Sequence, residues 1–127
     1  MKIQLLPAAT AALLAAGGLA LLFAPAETGA LYGVAPMAAS SALLQAFGAA
    51  LLGLAAMNWT SRFSLLGGLH GRAIVAANFV HFGIGLTLFL RALSRGAIPI
   101  LWISVAVYGV AALLHGMSFF RTPKTPS

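Results

Sequence analysis

The sequence predicts an all-α protein, a membrane-embedded up-down four-helix bundle, and three observations carry that prediction. Hydrophobic residues fill 61% of the 127 positions and charged ones 6%, against about 25% charged in an average soluble domain, and the mean hydropathy is +1.03. The apolar residues gather in four long runs, 5–26, 37–59, 73–90 and 97–120. Every charged residue, seven basic ones and Glu27 as the sole acid, lies outside those runs.

A helix needs roughly 20 apolar residues to cross a hydrocarbon core of about 30 Å, and each run is long enough. The third is the shortest, but it is bounded by Arg72 and Arg91, whose apolar stems can reach to the interface and lengthen the span. Stretches such as 11–23 and 46–57 are apolar on every side. Barrel strands alternate apolar and polar residues instead, so helices remain, the form that pairs every backbone amide internally in lipid. Pro7 and Pro99 stand in expected first turns, where a missing N–H costs little.

Lys2 ahead of the first run, and Ala24-Pro25-Ala26 before Glu27, resemble a secretory signal peptide with its cleavage site. The run exceeds the usual apolar region of about 7–15 residues, so we read an uncleaved helix, with cleavage in the cell as the alternative. The connections are short, which makes consecutive helices antiparallel neighbours and makes 1–127 a single four-helix transmembrane domain. Four spans put both termini and the 60–72 connection on one side, with Lys2, Arg62, Arg72, Arg121 and Lys124; the other side has Arg91 and Arg95. The positive-inside rule therefore places the N- and C-termini in the cytoplasm and the chain in the cell inner (plasma) membrane as a multi-pass protein. Tyr32, Trp59 and Trp102 are the expected interfacial anchors.

The net charge of +6 reflects scarce acids rather than abundant bases. Nucleic-acid binding is not predicted, because it needs basic residues clustered on one face and these are scattered. Without cysteine there are no disulfides, thiolate metal sites or cysteine nucleophiles.

Helices associate in lipid through close contact between small residues and through hydrogen bonds. The expected packing stripes are Ala8, Ala12, Ala16 and Ala20 beside Gly17; Ala46, Ala49, Ala50 and Gly53; Ala73, Ala77 and Gly85; and Gly109, Ala112 and Gly116. A surplus stripe on the first or second helix would serve self-association. The expected partners are thus the lipid bilayer and either a second copy in a homo-oligomer or a larger membrane complex.

Polar residues within spans mark the places where function resides in membranes. Asn78 and His81 share one face of the third helix, and Tyr108 and His115 share one face of the fourth. By depth, Asn78 is expected to approach His115 and His81 to approach Tyr108, forming a two-rung polar ladder. Two readings follow: the ladder fixes packing and register, or it lines a site for a small apolar or weakly polar ligand such as a lipid or quinone. Gln45, with up to four hydrogen-bonding valences, joins the candidate set and needs an inward-facing partner.

Named activities fare less well against these residues. Haem between His81 and His115 would have to splay helices that ordinarily pack about 8–10 Å apart, so no cofactor is expected, with haem held by these two histidines as the alternative. His70, His81 and His115 lack the i, i+4 spacing of a helical zinc site, and no carboxylate or thiolate completes a set, so no metal is expected. Ser104 and Ser118 have no acid to orient a base toward them, so no catalytic residue is assigned and no enzyme is expected. The length and plan resemble those of the small multidrug-resistance transporters, but their first-helix glutamate has no counterpart here. Fluoride channels of similar size carry an Asn-rich second helix and a Phe/Thr-rich third helix that this chain lacks.

The stretch Gln45-Ala46-Phe47-Gly48-Ala49-Ala50-Leu51-Leu52-Gly53-Leu54, followed by Trp59 and Arg62, resembles the second helix of small uncharacterised four-transmembrane-helix bacterial inner-membrane proteins. Many of those carry Arg where this chain has Gln45, so a charge-dependent role at that position does not transfer. The resemblance implies an inner-membrane helical protein and brings no activity with it. The expected function is a non-enzymatic accessory or assembly subunit or a self-associating bundle, with ligand binding or passage at the ladder as the alternative.

Overall fold

A computed structural model of the chain describes residues 5–63, 69–96 and 98–121, except for the side chains of 69 and 70. Their regular structure is α-helical: α1 Leu5–Phe23, α2 Pro25–Leu31, α3 Ala38–Ser61, α4 Leu69–Leu93 and α5 Pro99–Phe120. Four of these, all but α2, are long and apolar enough to cross a membrane. Lys2, Lys124 and the His70 side chain, all used in the sequence reading, lie outside the described residues.

The first run, expected to be helical over 5–26, stops at Phe23. Pro25 has no N–H for the Leu21 carbonyl and disfavours helical geometry in the residue before it, and Ala24 accordingly leaves the helix at φ −133°, ψ 56°. The same proline then starts α2, where its fixed φ suits a first turn, with Glu27 at the positive end of the new helix. Gly33 closes α2 at φ +73°. Its N–H donates to the Ala30 carbonyl and that of Val34 to the Gly29 carbonyl, both at 3.0 Å, the paired bonds of a Schellman motif that needs a left-handed residue. Half of the expected 27–36 loop is therefore helix.

The other ends shift less. α3 runs one residue later at its start and two later at its end than expected. α4 extends past 73–90 on both sides and takes in Arg72 and Arg91, because arginine is a good helix former and no Gly-Pro break stands beside either. α5 begins at Pro99 with an extended Ile98 before it.

The chain divides into two compact units, Met1–Arg62 and Phe63–Ser127. In the first, α1 and α3 run antiparallel, since Gly18 meets Gly48 while Gly17, one residue earlier, meets Leu51. The crossing is a backbone contact. A Cβ on Gly18 would lie 2.8 Å from the Gly48 carbonyl oxygen, and one on Gly48 would lie 2.8 Å from that of Gly18. The seam residues are Ala11, Leu14, Gly18 and Leu21 among the buried residues of α1, and Gly48, Leu51, Ala55 and Asn58 on α3. Both sets repeat at intervals of three and four, the spacing of a coiled-coil seam.

That seam corrects the expected stripes. Ala12, Ala16 and Ala20 on α1, and Ala46, Ala49, Ala50 and Gly53 on α3, are exposed, and a Cβ on Gly53 would meet nothing within 4 Å. A strict interval of four drifts about 40° at every step round a helix of 3.6 residues per turn, whereas alternating three and four drifts only about 20° in seven residues. α2 rests on the same unit, with Gly29 against the Leu44 side chain. At the far end of α3, the Arg62 guanidinium lies over the Trp59 ring, 3.8 Å from its centroid, and donates to the Trp59 carbonyl.

In the second unit α4 and α5 are also antiparallel: Phe79 lies against Gly116 and Gly85 against Tyr108. Here the expected small residues of α5 do lie on the contact face, with Ala112 and Gly116 buried and Leu86 against Gly109, whereas Ala73 of α4 is exposed.

Candidate functional site

The polar and aromatic residues of α4 and α5 form one cluster within the second unit. On α4, Asn78 and Phe82 are four apart on one face and almost completely buried, at 1% and 0% exposure. On α5, His115 is 2% exposed. Its imidazole stacks on the Phe82 ring with centroids 5.7 Å apart and an interplanar angle of 13°.

Tyr108 is the centre of the arrangement, and Gly85 makes room for it. A Cβ on Gly85 would stand 2.4 Å from Cε1 of the phenol, so only glycine admits the ring there. The ring meets Phe82 and Phe89 edge-on at 5.2 and 4.9 Å, the geometry that aromatic quadrupoles favour. Its hydroxyl lies 3.4 Å from Nε2 of His81, and the two rings are 5.6 Å apart. His81 and Tyr108 are both partly exposed.

The rung expected between His81 and Tyr108 is thus present. Asn78 and His115, the other expected rung, are both buried in the same unit, with Phe82 one helical turn beyond Asn78 and stacked on His115. Gln45 belongs to the first unit. Its Nε2 donates to the Leu22 carbonyl at 3.1 Å, one of the last four carbonyls of α1, which have no partner within their own helix. The inward-facing partner anticipated for Gln45 is therefore a helix end.

Hydroxyls in and beside the cluster are engaged within their own helices. Ser104 donates to the Ile100 carbonyl at 2.8 Å, Ser118 to that of Leu114 at 2.9 Å and Thr87 to that of Gly83 at 3.0 Å, the i−4 bonding of hydroxyls in helices. A bis-histidyl haem does not suit the geometry, because the Phe82 ring lies against the imidazoles of both His81 and His115. Among the described residues no three His, Asp or Glu side chains gather as a metal set.

Two further buried polar residues lie in the first unit, of which Thr10 was missed in the sequence. Thr10 on α1 is 5% exposed and Asn58 on α3 is 0% exposed, with Asn58 Nδ2 donating to the Leu54 carbonyl at 2.9 Å. The antiparallel register through Gly18 and Gly48 puts the two at one level. Asn58 continues the Gly48, Leu51, Ala55 spacing by three, which marks it as a seam position.

No family model matches the chain, and no curated protein or solved structure matches it.

Proposed function

We propose that the chain is a multi-pass integral protein of the inner membrane that works without catalysis, as an accessory or assembly subunit or as a self-associating bundle. The observation that supports this most is the close packing of the site: the Tyr108 phenol seated against Gly85, with Phe82 between His115 and Tyr108. Polar side chains so engaged hold helices in register, which is what interhelical hydrogen bonds most often do in membranes. Large apolar side chains such as Leu13, Leu19, Ile84, Leu113 and Val110 are exposed, a surface suited to lipid. Both termini are assigned to the cytoplasm by the excess of basic residues at that end.

Topology can be tested cleanly because the natural chain lacks cysteine. Single cysteines replacing Glu27 or Ser94 should react in whole cells with a membrane-impermeant maleimide, and one replacing Ser61 only after permeabilisation. The reverse pattern would overturn the orientation, and release of the protein from membranes by alkaline carbonate would overturn the integral assignment. Native mass spectrometry from a mild detergent then gives the number of subunits and any retained protein.

A second reading rests on the partial exposure of His81 and Tyr108, the polar edge of an otherwise apolar cluster. In it, a small apolar or weakly polar molecule, a lipid or quinone, binds at that edge. A retained mass lost in His81→Leu would favour this reading over the first.

A further inference from the structure

Two exposed arginines, Arg72 and Arg121, stand at the same end of the α4–α5 pair. Arg72 is seven residues before Phe79 on α4, two turns away on the same helix face, and that face meets Gly116 of α5. Arg121 follows α5 immediately, five residues after Gly116, and leaves the helix with an extended backbone at φ −73°, ψ 100°. Because the helices are antiparallel, both arginines lie beyond the Phe79–Gly116 contact, offset along the axis by about two residues or ~3 Å. Packed helix axes stand about 8–10 Å apart, a distance two arginine side chains can span between them.

An aromatic cluster lies directly above the pair. Phe79 stacks on Phe119 at 6.2 Å and meets Phe120 edge-on at 5.8 Å, and Phe119 meets Phe120 at 5.1 Å. Phe120 is 72% exposed. The opposite end of the same unit also carries two exposed arginines, Arg91 and Arg95, but they are four apart on one stretch of chain rather than contributed by two elements.

We infer that Arg72 and Arg121 form a cradle for the phosphate of an anionic phospholipid, with Phe119 and Phe120 against the lipid just inside the headgroup. Guanidinium groups recognise phosphate oxygens by paired hydrogen bonds. An exposed phenylalanine beside them suits the boundary between headgroup and chain, and the charge matches the anionic leaflet expected on the cytoplasmic side. The inference rests on the proposed membrane location.

The test uses the full chain in mild detergent, titrated with phosphatidylglycerol or with phosphatidylcholine and read by native mass spectrometry. Phosphatidylglycerol should be retained in preference, and the double substitution Arg72→Gln/Arg121→Gln should weaken it by about 25-fold, roughly fivefold per arginine. Arg91→Gln/Arg95→Gln removes the same charge and should leave retention nearly unchanged. Equal loss in the two double variants, or no preference for the anionic lipid in the natural chain, would overturn the site. Displacement of the lipid by millimolar inorganic phosphate, with phosphate itself retained, would assign the cradle to a free anion and overturn the lipid assignment. If the glutamine pair loses its helical circular dichroism, Arg72→Lys/Arg121→Lys replaces it. That pair should still weaken retention severalfold, because lysine keeps the charge without the fork, and unchanged retention would count against the cradle. Carbonate extraction separates the two failures: a chain washed from membranes defeats the membrane location, whereas an embedded chain without lipid preference defeats only the cradle.

Discussion

The Tyr108 hydroxyl lies 3.4 Å from Nε2 of His81, and it stands there because Gly85 gives up the space that a side chain would occupy. A polar contact between α4 and α5 is thus set by an apolar fact, the missing Cβ on the facing helix.

Gly85→Ala places a methyl group 2.4 and 2.5 Å from Cε1 and Cδ1 of Tyr108, so the phenol must leave its seat. Overpacking of this kind costs about 1–3 kcal/mol. Reversible unfolding in mixed micelles should show that loss, and Tyr108→Ala in the same chain should remove most of the extra cost of the Gly85 change. Strict additivity in that cycle would mean that the two residues do not compete for the space.

Removing the polar contact alone should matter much less. Tyr108→Phe keeps the ring and its edge-on contacts with Phe82 and Phe89, and interhelical hydrogen bonds in membranes average about 0.6 kcal/mol. The same unfolding assay should place Tyr108→Phe and His81→Leu each within about 1 kcal/mol of the natural chain. A loss several times larger in either would show the pair to be more than a register device.

The first unit offers a contrast between two glycines of one helix. Gly48→Ala brings a Cβ to 2.8 Å from the Gly18 carbonyl oxygen and 3.1 Å from the Leu22 nitrogen, and backbone atoms cannot turn aside as side chains do. A cost of about 1–3 kcal/mol is expected. Gly53→Ala meets nothing within 4 Å and should stabilise the helix by up to about 1 kcal/mol. Thermal denaturation of the two variants in one detergent compares them directly.

Gln45→Leu takes away the donor to the Leu22 carbonyl at an end of α1 that Pro25 has already broken. The expected loss is about 1 kcal/mol, the net value of a typical hydrogen bond. Gln45→Arg retains a donor and should lose less. Unfolding midpoints of both variants would decide the point, and equal losses would show that the donor does not matter.

Much of this was legible in the sequence, for reasons that are physical. The four long helices were visible because apolar runs bounded by charge admit little else in lipid. The His81–Tyr108 contact was visible because short connections force antiparallel neighbours, and depth along each helix then pairs residues. The seam of α1 and α3 was hidden by alanine. With Ala8, Ala11, Ala12, Ala15, Ala16 and Ala20 spread round α1, composition does not choose a face, and only the interval between Gly18, Leu14 and Ala11 does. α2 was hidden by its length, since seven residues make less than two turns, though Pro25 at its start and Gly33 past its end mark it. Gln45 was read as an inward polar group because the apolar run was carried past Pro25 to residue 26, which hid the free carbonyls at the end of α1 level with it.

The seam between α1 and α3 closes entirely within Met1–Arg62, through Gly18 against Gly48, Gly17 against Leu51 and Gln45 against Leu22. During synthesis, then, the first pair of helices has all the partners of that seam as soon as Arg62 has left the ribosome. It can close as a finished hairpin before synthesis of the second unit is complete.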